Sequence, residues 1–334
     1  MLLRTTLALA LSFSANLAMA GNAEALSAFT AHDYARAERE WLPLANQGNA
    51  AAQFGLGKLY AEGLGMPKDD TRAESWWQKA AQTGYADAQN SLGRLYLARQ
   101  DYAKARDWFQ RAVKQDHAAA ENNLAGMLSH GQGGPVDTAG AADLYRKAAT
   151  QGYAIAQSNL GLLYARGQGV PHDDTLAFYW FQKAALQGEV DAEFNLGTLY
   201  HRGAGVPKND GEAIAWFRKA AQAGNLPATA SLGVAYATGQ GVDVNRQQAT
   251  TLLHRAAEAG YVPAQHNLGL LYASDEGELR DVGQAYFWLA VATANGDSAA
   301  EPLRDRAAAE LPADQLKAAQ AAVSNWRSAH PATP

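Results

Sequence analysis

The chain has 334 residues, 48% of them hydrophobic and 18% charged, the balance of a folded protein rather than a disordered one. A formal net charge of -5 without any long Lys/Arg block argues against a nucleic-acid binder. Cysteine is absent, which excludes disulfide staples, a lipid-attachment thiol and thiol chemistry.

In chain order, the first element is an export signal. Arg4 supplies a positive start, Leu7 to Phe13 a short apolar stretch, and Ala18-Met19-Ala20 a small-residue cleavage site. This predicts a signal peptide over residues 1–20, cleaved after Ala20, and a periplasmic or secreted mature protein. The apolar run is too short and too interrupted for a transmembrane helix, and no later segment is apolar enough to span a bilayer.

After a first unit over residues 21–47, one pattern returns over residues 48–300. It reads GNAAAQFGLGKLY from Gly48, GYADAQNSLGRLY from Gly84, DHAAAENNLAGML from Asp116 and GYAIAQSNLGLLY from Gly152. It continues as GEVDAEFNLGTLY from Gly188, GNLPATASLGVAY from Gly224 and GYVPAQHNLGLLY from Gly260, with a worn copy from Gly296. The period is 36 residues, except for one unit of 32. Counting the opening residue as zero, position 4 is always Ala, and in the first seven copies position 8 is Leu, position 9 Gly or Ala, and position 12 Tyr in all but one. Positions 4, 8, 11 and 12 share one face of an α-helix, so this stripe is read as core. A mid-helix Gly costs about 1 kcal/mol against Ala, so its recurrence at position 9 implies close packing of a neighbour.

A second helix follows in each unit. Fifteen residues before each opening Gly or Asp stands Asp33, Asp69, Asp101, Asp137, Asp173, Asn209, Asn245 or Asp281, in the place of an N-cap. An Ala comes four residues later, then bulky pairs such as Trp76-Trp77, Trp108-Phe109, Trp180-Phe181 and Trp216-Phe217, read as core. Lys or Arg near the helix end suits the helix dipole. Between the two helices run Gly-rich loops (GLGMPKD, GQGGPVD, GQGVPHD, GAGVPKN and GQGVDVN), where Gly supplies positive φ and Pro stops the helix. The 32-residue unit replaces the loop with Ala98-Arg99-Gln100-Asp101. A final helix and tail occupy residues 301–334.

The in-register elements A-x-x-x-L-G-x-x-Y, G-x-G-x-P-x-D and A-x-x-W-[FY]-x-K-A-A-x-x-G resemble the SEL-one-like repeat, a relative of the tetratricopeptide repeat. The stretch Leu26 to Gly48 resembles the first unit of bacterial exported members, and Leu311 to Trp326 their terminal capping helix. The resemblance implies an all-α fold: a right-handed α/α superhelical solenoid of about seven to eight two-helix repeats with a C-terminal capping helix. It also implies a protein-interaction scaffold in the cell envelope, binding a protein or an extended peptide on its concave face. Helix pairs that cannot bury their own apolar face must stack, which agrees with that architecture.

On the side of the first helix away from the core stripe, position 7 carries Asn123, Asn159, Asn195 and Asn267. Two readings of these residues stay open: an Asn ladder for an extended backbone, or bridges between adjacent repeats. Arg94 at position 10 and Arg166 and Arg202 at position 14 are candidate cations, the latter two for a shared carboxylate. Phe54 and Phe194 at position 6 are read either as exposed anchors or as tucked against a neighbouring helix.

No enzyme is expected. Some cysteine-rich secreted relatives are linked to β-lactam binding or hydrolysis, but S-x-x-K, S-D-N, K-T-G and G-x-S-x-G are all missing. The eight His residues are scattered without a ligand spacing; His117 and Glu121, an i,i+4 pair, are too few for a metal and are read as a surface contact. No cofactor is expected. A glycan or peptidoglycan-associated scaffold is the alternative binding class, weakened by the placing of most Trp at second-helix core positions.

Overall fold

The computed structural model describes residues 21–274 and 280–330. The signal segment 1–20, its cleavage after Ala20 and the tail beyond 330 lie outside the described residues. Among the described residues every regular element is helical.

The helices group into two compact units, Met1–His172 and Asp173–Pro334. The first holds α1 (21–30), α2 (Tyr34–Asn46), α3 (Ala50–Glu62), α4 (Asp70–Gln82), α5 (Ala86–Ala98), α6 (Tyr102–Val113), α7 (Ala118–Ser129), α8 (Thr138–Thr150) and α9 (Ala154–Arg166). The second holds α10 (Asp174–Ala185), α11 (Val190–Arg202), α12 (Asp210–Gln222), α13 (Leu226–Thr238), α14 (Arg246–Glu258), α15 (Val262–Ala273), α16 (Val282–Ala294), α17 (Glu301–Glu310) and α18 (Ala313–Ala329). Within each unit consecutive helices from α2 to α17 pack on one another, and first helices of neighbouring repeats also meet, α5 with α7 and α13 with α15. This is the paired-helix repeat of a solenoid.

Caps set the helix starts. All eight Asp or Asn residues in the cap positions accept a hydrogen bond from the first turn that follows, as when Asp137 Oδ1 takes the Gly140 N–H at 2.8 Å. Each satisfies one orphan donor and contributes about 1 kcal/mol. The first helices are capped less regularly: Asn49, His117, Glu189 and Asn225 cap by side chain, whereas Tyr85, Tyr153 and Tyr261 do not. Helix stops use Gly in the left-handed region, as at Gly203 after α11, with φ 69°. Two residues on, Gly205 also has φ 69°, and a β-carbon there would overlap the backbone carbonyl of Asp174. In the short unit Gln100 makes the left-handed turn itself, at φ 60°.

The core follows the stripe. All eight position-4 alanines, from Ala52 to Ala300, are 0% exposed, as are Leu56, Leu92, Leu160, Leu196 and Leu268 at position 8. Gly at position 9 seats the bulky residue of its own repeat's second helix, so that Gly93 lies under Phe109, Gly197 under Phe217 and Gly233 under Leu253. Position 12 departs from the expectation. Only Tyr96 of its tyrosines is buried; the rest are half-buried at the edge of the stripe, where the Tyr60 hydroxyl meets Glu38 and the Tyr236 hydroxyl accepts from Arg218. The Tyr96 hydroxyl donates to Glu74 Oε1 at 2.6 Å.

The tryptophans also depart from the core reading. Trp41, Trp77 and Trp288 are buried, whereas Trp76, Trp108, Trp180, Trp216 and Trp326 are half-buried. In each bulky pair the second residue faces inward; the first lies about 100° further round the helix and so reaches the rim of the buried arc. A cation three residues on then lies over three of these rings: Lys79 over Trp76 at 4.0 Å, Arg111 over Trp108 at 4.6 Å and Lys219 over Trp216 at 4.4 Å.

The array ends in a changed unit. Where earlier copies have a long first helix, the last has the 3₁₀ turn Ser298–Ala300 and then α17, which carries a proline in its first turn. The final helix, α18, packs on α16, with the Trp326 ring edge-on to Trp288 at 6.2 Å.

Candidate functional site

The face of the first helices carrying positions 6, 7, 10 and 14 is built from half-buried polar side chains and exposed cations. In the first unit, Asn123 Nδ2 donates to Asn90 Oδ1 at 2.9 Å and Asn159 Nδ2 donates to Asn122 Oδ1 at 3.0 Å. Position 7 of one repeat thus bonds position 6 of the repeat before it. Each bond uses an amide N–H and leaves the Asn123 and Asn159 side-chain oxygens without a hydrogen-bond partner among the described residues. In the second unit Asn195 and Asn267 are half-buried at the equivalent position.

Arg94, Arg166 and Arg202 are exposed and make no ion pair among the described residues. Arg166 belongs to the first unit and Arg202 to the second, and each is described within its own. The two phenylalanines are half-buried against neighbouring aromatic rings, Phe54 at 5.5 Å from Tyr85 and Phe194 at 5.7 Å from Phe217.

Two open recesses gather these residues. In the first unit, Phe54, Lys58, Glu62, Asn90, Ser91 and Arg94 surround a cavity of about 440 Å³. In the second, Phe194, Arg202, Ile214, Phe217, Tyr261 and Asn267 surround one of about 430 Å³. Both have the size of a ligand or side-chain pocket. The first is lined by polar and apolar atoms in nearly equal measure, the second mainly by apolar ones.

Position 5, which the sequence reading passed over, holds a row of buried polar groups. Gln53, Gln89, Gln157 and Gln265 each donate from Nε2 to the backbone carbonyl eight residues upstream, at the end of the preceding helix, over 3.0 to 3.2 Å. Where the position is Thr229, Arg255 reaches in from the second helix of the same repeat and bonds both Thr229 Oγ1 at 3.0 Å and the Ala221 carbonyl of the preceding repeat at 3.3 Å. Glu121 and Glu193 occupy the same place and are 1% and 6% exposed. Burial pushes both carboxyls above their ordinary value.

This corrects the surface reading of His117 and Glu121. Glu121 faces inward and accepts from Gln151 Nε2 at 2.8 Å. The His117 ring caps α7 through Nδ1, and its Nε2 meets Asp87 of the preceding repeat at 3.1 Å. That contact holds the Asp87 carboxyl below the usual carboxylate range. Among the described residues no three His, Cys, Asp or Glu side chains are grouped as a metal site, and no helix is long and apolar enough to cross a membrane. A sugar stacks on an open ring face, and a cation lies over one face of each of Trp76, Trp108 and Trp216.

Comparison with known proteins agrees with this architecture. The family model for the Sel1 repeat matches seven consecutive segments: 50–85, 86–117, 118–153, 154–189, 190–225, 226–261 and 262–297. Among solved structures, a protective antigen of uropathogenic Escherichia coli with an SLR fold is 31% identical. The alignment covers 92% of this chain and 68% of that one, with a TM-score of 0.84. A Sel1 repeat protein from Oxalobacter formigenes is 30% identical over 71% of this chain and 96% of its own, with a TM-score of 0.65. No curated protein matches the sequence.

Proposed function

The chain belongs to the Sel1-repeat family, whose members are in general scaffolds for protein–protein interaction, and we propose that it is such a scaffold in the bacterial envelope. Its guest is an envelope protein or an extended peptide, held on the first-helix face. The observation that carries this reading is the pair of recesses on that face, one in each unit, each rimmed by an uncommitted arginine, Arg94 or Arg202. An extended peptide presents side chains to such recesses and backbone N–H groups to free amide oxygens like those of Asn123 and Asn159. Export is supported by the Arg4, Leu7 to Phe13 and Ala18-Met19-Ala20 segment. The Escherichia coli relative's standing as a protective antigen fits an exported protein.

Cross-linking in intact cells, followed by affinity purification of the mature chain, tests both parts. The expected result is a chain that begins at Gly21 and carries a discrete cross-linked envelope protein. Retention of residues 1–20 on a cytoplasmic protein, or the absence of any specific adduct, would overturn the reading.

A further inference from the structure

The first-helix face is not uniform along the second unit. Positions 6 and 7 read Phe194-Asn195 in α11, Ala230-Ser231 in α13 and His266-Asn267 in α15. The small pair in the middle leaves a gap between two bulky neighbours, and the gap is the recess of about 430 Å³. Its floor is apolar: Ile214 and Phe217 are 5% and 6% exposed, and the Phe194 ring lies 5.7 Å from that of Phe217. Its lone lining carboxylate, Asp210, is already engaged, by His201 Nδ1 at 2.8 Å and by Lys208 Nζ at 3.3 Å. Arg202 is the remaining charge at the rim and has no ion-pair partner among the described residues. The chemistry of the site is therefore an apolar hole beside one uncommitted cation.

We propose that this recess is a specificity pocket for a bulky apolar side chain, aromatic above all, that stands next to a carboxylate in an extended segment of the partner protein. The ring fills the space above Ile214 and Phe217, where burial of apolar area drives binding, and the carboxylate meets Arg202. The corresponding recess of the first unit differs, since Lys58 and Arg94 there share the lining with the carboxylates Glu62 and Asp87 and the wall is less apolar. The proposal rests on the reading of this face as the docking side and adds to it the class of sequence recognised.

The probe is a capped Gly-Gly-Trp-Asp-Gly-Gly peptide carrying 5-fluorotryptophan, followed by fluorine NMR against the mature chain. Two companions replace its Trp by Ala, read by competition, or its Asp by Asn. The Trp-Asp peptide is expected to bind, the Ala companion not to compete, and the Asn companion to bind about tenfold more weakly. Ala230→Phe installs the ring that Phe194 supplies one repeat earlier and is expected to abolish binding while the helical circular dichroism is kept. Arg202→Gln, an exposed change at a helix end, should weaken the Trp-Asp peptide to the level of the Asn companion and leave that companion unaffected. Should Ala230→Phe fail to fold, the Arg202→Gln pattern decides alone. Absence of binding by the Trp-Asp peptide, undiminished binding to folded Ala230→Phe, or equal loss of both Trp peptides on Arg202→Gln overturns the pocket. Capture of the same envelope partners by folded Ala230→Phe also overturns the pocket but leaves the scaffold standing; capture of none by the wild type overturns the scaffold.

Discussion

The α-carbon of Gly93 lies directly beneath the ring of Phe109, so close that a β-carbon at residue 93 would stand 2.5 Å from two of the ring carbons. Phe109 is 0% exposed and cannot retreat. The residue that weakens its own helix thus lets the two helices of the repeat close on each other. Gly93→Ala gains about 1 kcal/mol of helix propensity and loses about 1–3 kcal/mol to overpacking. A net loss of stability in urea denaturation is expected; a variant more stable than the wild type would refute the packing role. Gly93→Ala combined with Phe109→Leu should recover part of the loss.

Gln265 is 0% exposed, donates to the Ala257 carbonyl at 3.1 Å and accepts from Asn295 Nδ2 at 3.0 Å. Gln265→Leu keeps the volume roughly constant but strands both partners. The expected cost is about 1–3 kcal/mol, measured by denaturant titration. A cost near zero would mean that relaxation or water replaces the bonds.

Glu193 titrates against folding. Its carboxyl is ordinarily ionised above 4.5 and is held protonated to higher pH in the folded chain by burial. As pH rises past 4.5, the unfolded chain loses its proton first, so stability falls until the folded-state value is also passed. Glu193→Gln removes this penalty. It should raise the melting temperature at pH 7 and leave it unchanged below about pH 4, where both states are protonated. An equal effect at both values would point to packing instead of charge.

Lengthening the shortest inter-helix loop should be tolerated. Replacing Ala98-Arg99-Gln100-Asp101 with an eight-residue Gly-Pro loop like its neighbours, with the Asp cap kept, changes closure entropy by about 0.6 kcal/mol. A melting temperature within a few degrees of the wild type is expected. Losing the cap instead, by Asp101→Ala, should cost about 1 kcal/mol through the Lys104 N–H that it leaves unbonded.

The caps and the alanine stripe were legible in the sequence because each depends on neighbours within one turn or one helix. Asp137 needs only the first turn of α8, and Ala156 only its place at position 4. What stayed hidden depends on residues far apart along the chain. Gln53 carries no signal in the sequence, because its role lies in an amide that reaches the Ala45 carbonyl on another helix. Trp108 reads as core until its angular offset from Phe109 places it on the rim, under Arg111. The recess of the second unit had no motif at all. It is made by the smallness of Ala230 and Ser231 relative to the same positions one repeat away on either side, a signal visible only when the rows are aligned and the floor of Ile214 and Phe217 is known.

Because that gap is set by two positions that recur with every repeat, its location along the array is separable from the fold. Exchanging Ala230-Ser231 for Phe-Asn would close the opening without touching a cap, a stop or the alanine stripe. Such a chain is like a ruled page: the lines stay fixed whether or not a gap is left between the words.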